Sequence, residues 1–102
     1  CIRDREAGML PSNEPGHYRQ GEWGIRTETL IAISEADADG FMGFETITLC
    51  PIDRRLIDPE MMPASERAWL NDYHARVEAT LAPQLAGDTA CLAWLRAACA
   101  PL

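Results

Sequence analysis

A chain of 102 residues and 11.3 kDa is long enough for one domain at most and can bury only a modest core. Its 47% hydrophobic and 25% charged content excludes a disordered chain, and no apolar run reaches the length that spans a bilayer. The formal charge of −7, with nine arginines and no lysine on the basic side, makes nucleic acid and anionic membranes poor partners.

Residues 9–14 read as a strand, demoted to an edge or irregular one by Pro11. Residues 15–23 are turn-rich, with Pro15, Gly16 and Gly21. Residues 24–34 alternate. Ile25, Thr27, Thr29, Ile31 and Ile33 make one β-branched face, and Arg26, Glu28, Leu30 and Ala32 make the other. Residues 35–43 form a connecting loop to a third strand over 44–50, which Pro51 ends.

After Asp58 the period becomes helical. Pro63, Ser65 and Glu66 mark a helix entry, with acid in the first turn. The spacing of Trp69, Leu70, Tyr73, Val77 and Leu81 predicts an amphipathic helix over 64–81. Pro83 and Gly87 punctuate the chain. Asp88 and Thr89 then cap a second helix over 89–99, with Leu92, Leu95 and Cys99 on one stripe. Trp69, Tyr73 and Trp94 read as packing aromatics, and His74 as a surface or partly buried structural histidine. The cysteines at 1, 50, 91 and 99 include no C-x-x-C. Cys91 and Cys99 fall about 12 Å apart along a helix, too far for a disulfide. Reduced thiols of this kind point to the cytoplasm.

Two carboxylates stand out. If residues 9–14 pair with 24–34 as an antiparallel hairpin, Gly21 is the midpoint and Glu14 falls opposite Glu28 on one face. Like charges so placed repel. The pair is therefore solvated on an outer face, shares a proton, or binds a cation. Arg26, two residues before Glu28, projects from the same face and offers a forked pair of donors.

Ser12-Asn13-Glu14-Pro15-Gly16-x-Tyr18, followed by Gly24-Ile25-Arg26-x-Glu28, resembles the end of the catalytic domain of Xaa-Pro aminopeptidases, metallopeptidases of the M24 "pita-bread" family. Phe44–Leu49, the run from Pro51 to Asp58, and the segments around Trp69–Arg76 and Trp94-Leu95 are similar to the branch with a C-terminal extension.

The resemblance implies an α+β fold: antiparallel strands from the end of a pita-bread catalytic domain, then a two-helix subdomain. It divides the chain into residues 1–6, foreign to the family as an adapter scar would be, 7–58 from the catalytic sheet, and 59–102 as the helical extension. It implies two divalent metal ions, usually manganese, held by two Asp, one His and two Glu. Here the two Glu fall on Glu14 and Glu28, a supporting Arg on Arg26 and a supporting Tyr on Tyr18. The remaining ligands belong upstream of this chain, which is expected to be an inactive fragment of its parent. The resemblance further implies that the parent cleaves peptides with proline in second position, with Glu14 moving the proton, and is a cytoplasmic homodimer.

Other readings compete. A non-catalytic protein-interaction module and a creatinase-like or prolidase-like hydrolase both fit the same elements. His17 stands where the family commonly has an aromatic residue and is not expected to ligate metal. The run Glu35-Ala-Asp37-Ala-Asp39-Gly40 imitates a calcium loop, but it starts on Glu and ends on Thr46 where a bidentate Glu is required. Ser12 and Ser65 have no base at nucleophile spacing.

Overall fold

The computed structural model describes residues 5–36 and 38–102, and two compact units divide them, Cys1–Thr48 and Leu49–Leu102. Cys1 to Asp4 of the expected foreign segment, and Asp37 of the acidic loop, lie outside the described residues.

In the first unit, β1 (Ser12–Asn13), β4 (Thr29–Ala36) and β5 (Met42–Thr46) form a three-stranded antiparallel sheet in the order β1-β4-β5. A second, two-stranded antiparallel sheet joins β2 (Gly16–Arg19) to β3 (Trp23–Arg26). The turn-rich stretch is therefore mostly strand, with only residues 20–22 turning. Gly21 takes φ +75° there, a left-handed conformation that costs glycine nothing.

β5 ends at Thr46, short of the expected residue 50, because the chain turns in on Leu30. The Ile47 N–H donates to the Leu30 carbonyl at 2.9 Å, and the Leu30 N–H donates to the Thr48 hydroxyl at 2.8 Å. On β4 the odd face is the buried one, with Ile33 at 3% and Ile31 at 9% exposure, while Leu30 on the other face is exposed. Trp23, Ile25, Phe41 and Phe44 in this unit are exposed as well.

The second unit folds around α1 (Ala64–Leu81) and α2 (Thr89–Ala98), close to the expected spans. Leu70, Tyr73 and Val77 from α1 meet Leu95 and Cys99 in the core. Leu49, Ile52 and Ile57 pack on this cluster, which is why the units divide after Thr48 whereas the sequence reading places its boundary after Asp58. The Asp88 carboxylate accepts from the Cys91 N–H at 2.9 Å and closes the first turn of α2. Asp88→Ala is expected to cost about 0.5–2 kcal/mol, read as a lower urea midpoint. An unchanged midpoint would show that the cap contributes nothing.

Cys50, Cys91 and Cys99 are free thiols. His74, expected at or near the surface, is instead completely buried. Its Nε2 accepts from the Ile52 N–H at 3.1 Å, so the neutral ring carries its proton on Nδ1, which is buried and has no partner. Beside it the Tyr73 hydroxyl donates to the Cys50 carbonyl at 2.9 Å and lies 3.3 Å from the Cys50 N–H, which it accepts. These three bonds anchor residues 50–52 to α1. Burial, and then the nearby Arg54 charge, hold the His74 imidazole below the usual histidine range.

Candidate metal centre

One register runs from residue 9 to residue 33. Ser12 faces Leu30, Asn13 faces Thr29, Gly16 faces Arg26, and Arg19 faces Trp23. Beyond the ladders, the Ile31 N–H donates to the Pro11 carbonyl and the Ile33 N–H to the Met9 carbonyl, both at 3.0 Å. All these pairs centre on Gly21, as the sequence reading expected.

Glu14 and Glu28 occupy a break between the two ladders. The break has a chemical cause. Thr27 N–H donates to the Pro15 carbonyl at 3.2 Å, but Pro15 has no N–H to return. The register carries across this gap and leaves Glu14 opposite Glu28. Hydrogen-bonded pairs fall on odd-numbered residues, so Glu14 and Glu28 form a non-hydrogen-bonded pair, the type whose side chains stand closer.

The even-numbered face gathers Ser12, Glu14, Tyr18, Arg26 and Glu28. Arg26 Nη1 lies 3.1 Å from Glu14 Oε2, and Arg26 Nη2 lies 3.5 Å from Glu28 Oε2. One guanidinium thus spans both carboxylates, as its forked geometry allows. All three side chains are half-exposed, so these ion pairs contribute little to stability and mainly fix the carboxylates in space.

Tyr18 lies along the same face. A Cβ on Gly16 would sit 2.5 Å from its hydroxyl oxygen, and one on Gly24 would sit 2.5 Å from its ring Cδ1. The two glycines leave the space the ring fills, and the hydroxyl extends towards the position next to Glu14. His17 projects from the other face, its ring 5.5 Å from that of Trp23, and takes no part in this group.

The donors are carboxylate oxygens, suited to hard divalent cations such as magnesium or manganese rather than to thiophilic metals. Two carboxylates fall short of a closed shell, and among the described residues no three His, Cys, Asp or Glu side chains gather to hold a metal. The residues fit part of a metal site. Sequence reasoning set Ser12 aside as a nucleophile and missed its place here. Its hydroxyl donates to Glu14 Oε1 at 2.6 Å, an arrangement the two-residue spacing along a strand makes available. A separate groove of about 670 Å³ in the helical unit, lined by Pro51, Arg54, Arg55, Pro59 and Trp94 among others, brings no such carboxylate pair.

Residues 40–102 match the family model for the C-terminal region of peptidase M24. The chain is 42% identical over 103 aligned residues to a protein named as a probable Xaa-Pro aminopeptidase P from Laccaria bicolor, covering 95% of this chain and 16% of the relative. A protein of the same name from Coprinopsis cinerea is 39% identical, at 95% and 17% coverage. Among solved structures, an X-prolyl aminopeptidase from Caenorhabditis elegans, described as a cytosolic enzyme with a di-nuclear active site, superposes with a TM-score of 0.83 and 34% identity. It covers 96% of this chain, and the match takes up 17% of that protein. The chain therefore spans about a sixth of the length of the relatives it matches.

Proposed function

The chain belongs to the M24 peptidase family, and from that membership we propose that it supplies two metal-ligating carboxylates and the C-terminal helical region of an aminopeptidase that removes the residue preceding proline. The observation that carries this reading is the pairing of Glu14 with Glu28 across one face, with Arg26 reaching both. In this reading the strands up to Thr48 close the catalytic sheet of the parent and the unit from Leu49 forms its extension, a boundary ten residues before the one expected after Asp58, with residues 1–6 foreign to both. The apolar side chains exposed on the first unit, Trp23, Ile25 and Phe44 among them, suit burial against the rest of such a parent.

Glu14 and Glu28 would hold two divalent ions, manganese in our reading, with the other ligands supplied from outside this chain. The metals, when bound, supply Lewis-acid activation of a water for attack on the peptide carbonyl before proline. Glu14 takes the proton on its carboxylate and returns it to the departing proline nitrogen. Arg26 keeps both carboxylates turned to the reacting side. Tyr18, whose hydroxyl lies over Gly16, is in this reading the supporting tyrosine of the site. The substrate is a peptide with proline in second position. In this reading the parent works in the cytoplasm as a homodimer, without nucleic acid or membrane as partners. Among the described residues no helix is long and apolar enough to cross a membrane.

The chain by itself is expected to be inactive, because two carboxylates cannot hold the reacting water against a substrate. Purified chain incubated with manganese and Arg-Pro-Pro should release no arginine above a metal-only blank. Catalytic release would overturn the account of this chain as one portion of the active site.

A further inference from the structure

Glu14 and Glu28 are not held alike. The Ser12 hydroxyl donates to Glu14 Oε1 at 2.6 Å while Arg26 Nη1 donates to Glu14 Oε2 at 3.1 Å, so each oxygen of this carboxylate has its own donor. Glu28 has the same guanidinium 3.5 Å from Oε2, a looser contact. A carboxylate offers about four acceptor positions. Two are taken on Glu14, and those left free have directions set by the bonds that are made. A hydroxyl-to-carboxylate bond at this distance is the short, charge-assisted kind.

We infer that Ser12 is a positioning residue for the proposed metal site: its hydroxyl, with Arg26, fixes the plane of the Glu14 carboxylate before a cation arrives. Partners that orient a ligand in this way typically carry a measurable share of metal affinity. Ser12 is held in the β1–β4 ladder opposite Leu30, and Glu14 follows two residues on in the extended break, so the hydroxyl and the carboxylate share one face.

This inference rests on the metal-site reading above, and one titration separates the two. The complete chain, carrying carbon-13 at its glutamate carboxyl carbons, is titrated with manganese(II) alone, and paramagnetic broadening is followed at Glu14 and Glu28. Ser12→Thr and Ser12→Val have the same β-branched shape and both suit a strand, one carrying a hydroxyl where the other carries a methyl. Broadening at both glutamates in the parent sequence is expected. Ser12→Thr should keep it, and Ser12→Val should need about tenfold more manganese at Glu14. A merely structural role for Ser12 would leave Thr and Val alike, since both preserve the strand, and equal titrations of the two variants would overturn the inference while leaving the metal site standing. Absence of selective broadening at Glu14 and Glu28 in the unsubstituted chain would overturn both.

Discussion

Leu95→Ala is expected to unfold most of residues 49–102 under conditions where the unsubstituted chain stays folded. Leu95 is 1% exposed and lies at the centre of the cluster formed with Leu70, Tyr73, Val77 and Cys99. Truncating a leucine in such a place costs about 2–5 kcal/mol, the lost transfer energy plus the cavity left behind. A core this small contributes only about 3–5 kcal/mol in all, so a single cavity exhausts it. Loss of helical circular dichroism at neutral pH, with a collapsed urea transition, is the signature. Trp94→Ala, one position earlier but 62% exposed, serves as the control and should change little. If both variants show the same midpoint as the parent, the core has been placed on the wrong residues.

Acid is expected to weaken the same unit before its carboxylates titrate. His74 is neutral in the folded state, and its Nε2 accepts from Ile52 N–H. Protonation would set an N–H against that N–H, inside a site already facing the Arg54 charge. Because the folded value is lowered, the unfolded chain takes up the proton first. The full contribution is therefore present above about pH 6.5, the ordinary histidine value. Stability is lost as pH falls below it, at about 1.4 kcal/mol per pH unit, until the folded value is reached. Urea midpoints measured from about pH 7.5 downward should begin to fall near about pH 6.5. His17→Gln, whose histidine lies outside this unit, should leave the slope in place. A flat profile across that range would remove His74 from the account.

The helical half was legible because its signals are local. Trp69, Leu70, Tyr73, Val77 and Leu81 mark α1 through spacing alone, and Asp88 marks the start of α2 through its side-chain chemistry. The register of the ribbon was legible for a different reason: it needs only a midpoint, and Gly21 supplies one. Other features depend on contacts that neither spacing nor capping signals. Strand β2 was hidden because Gly16 reads as a turn residue, whereas it is glycine to make room for the Tyr18 ring. The interruption at Glu14 and Glu28 follows from the missing Pro15 N–H, visible only once Pro15 and Thr27 are known to form a hydrogen-bonded pair rather than the other kind. The burial of His74 depends on where residues 50–52 return to α1, which no periodicity within the helix encodes.

The ribbon centred on Gly21 also governs which changes of length this part of the chain tolerates. An extra residue among 20–22 only enlarges the turn and leaves every facing pair intact. An extra residue in one arm, between Glu14 and Arg19 or between Trp23 and Glu28, advances that arm by one place and sends its carboxylate to the opposite side. The same addition made in both arms restores the match and moves the pair further from the turn. Natural length variation in relatives should therefore concentrate at the tip or occur as matched changes in the two arms, and a relative with one unmatched residue should carry a compensating bulge.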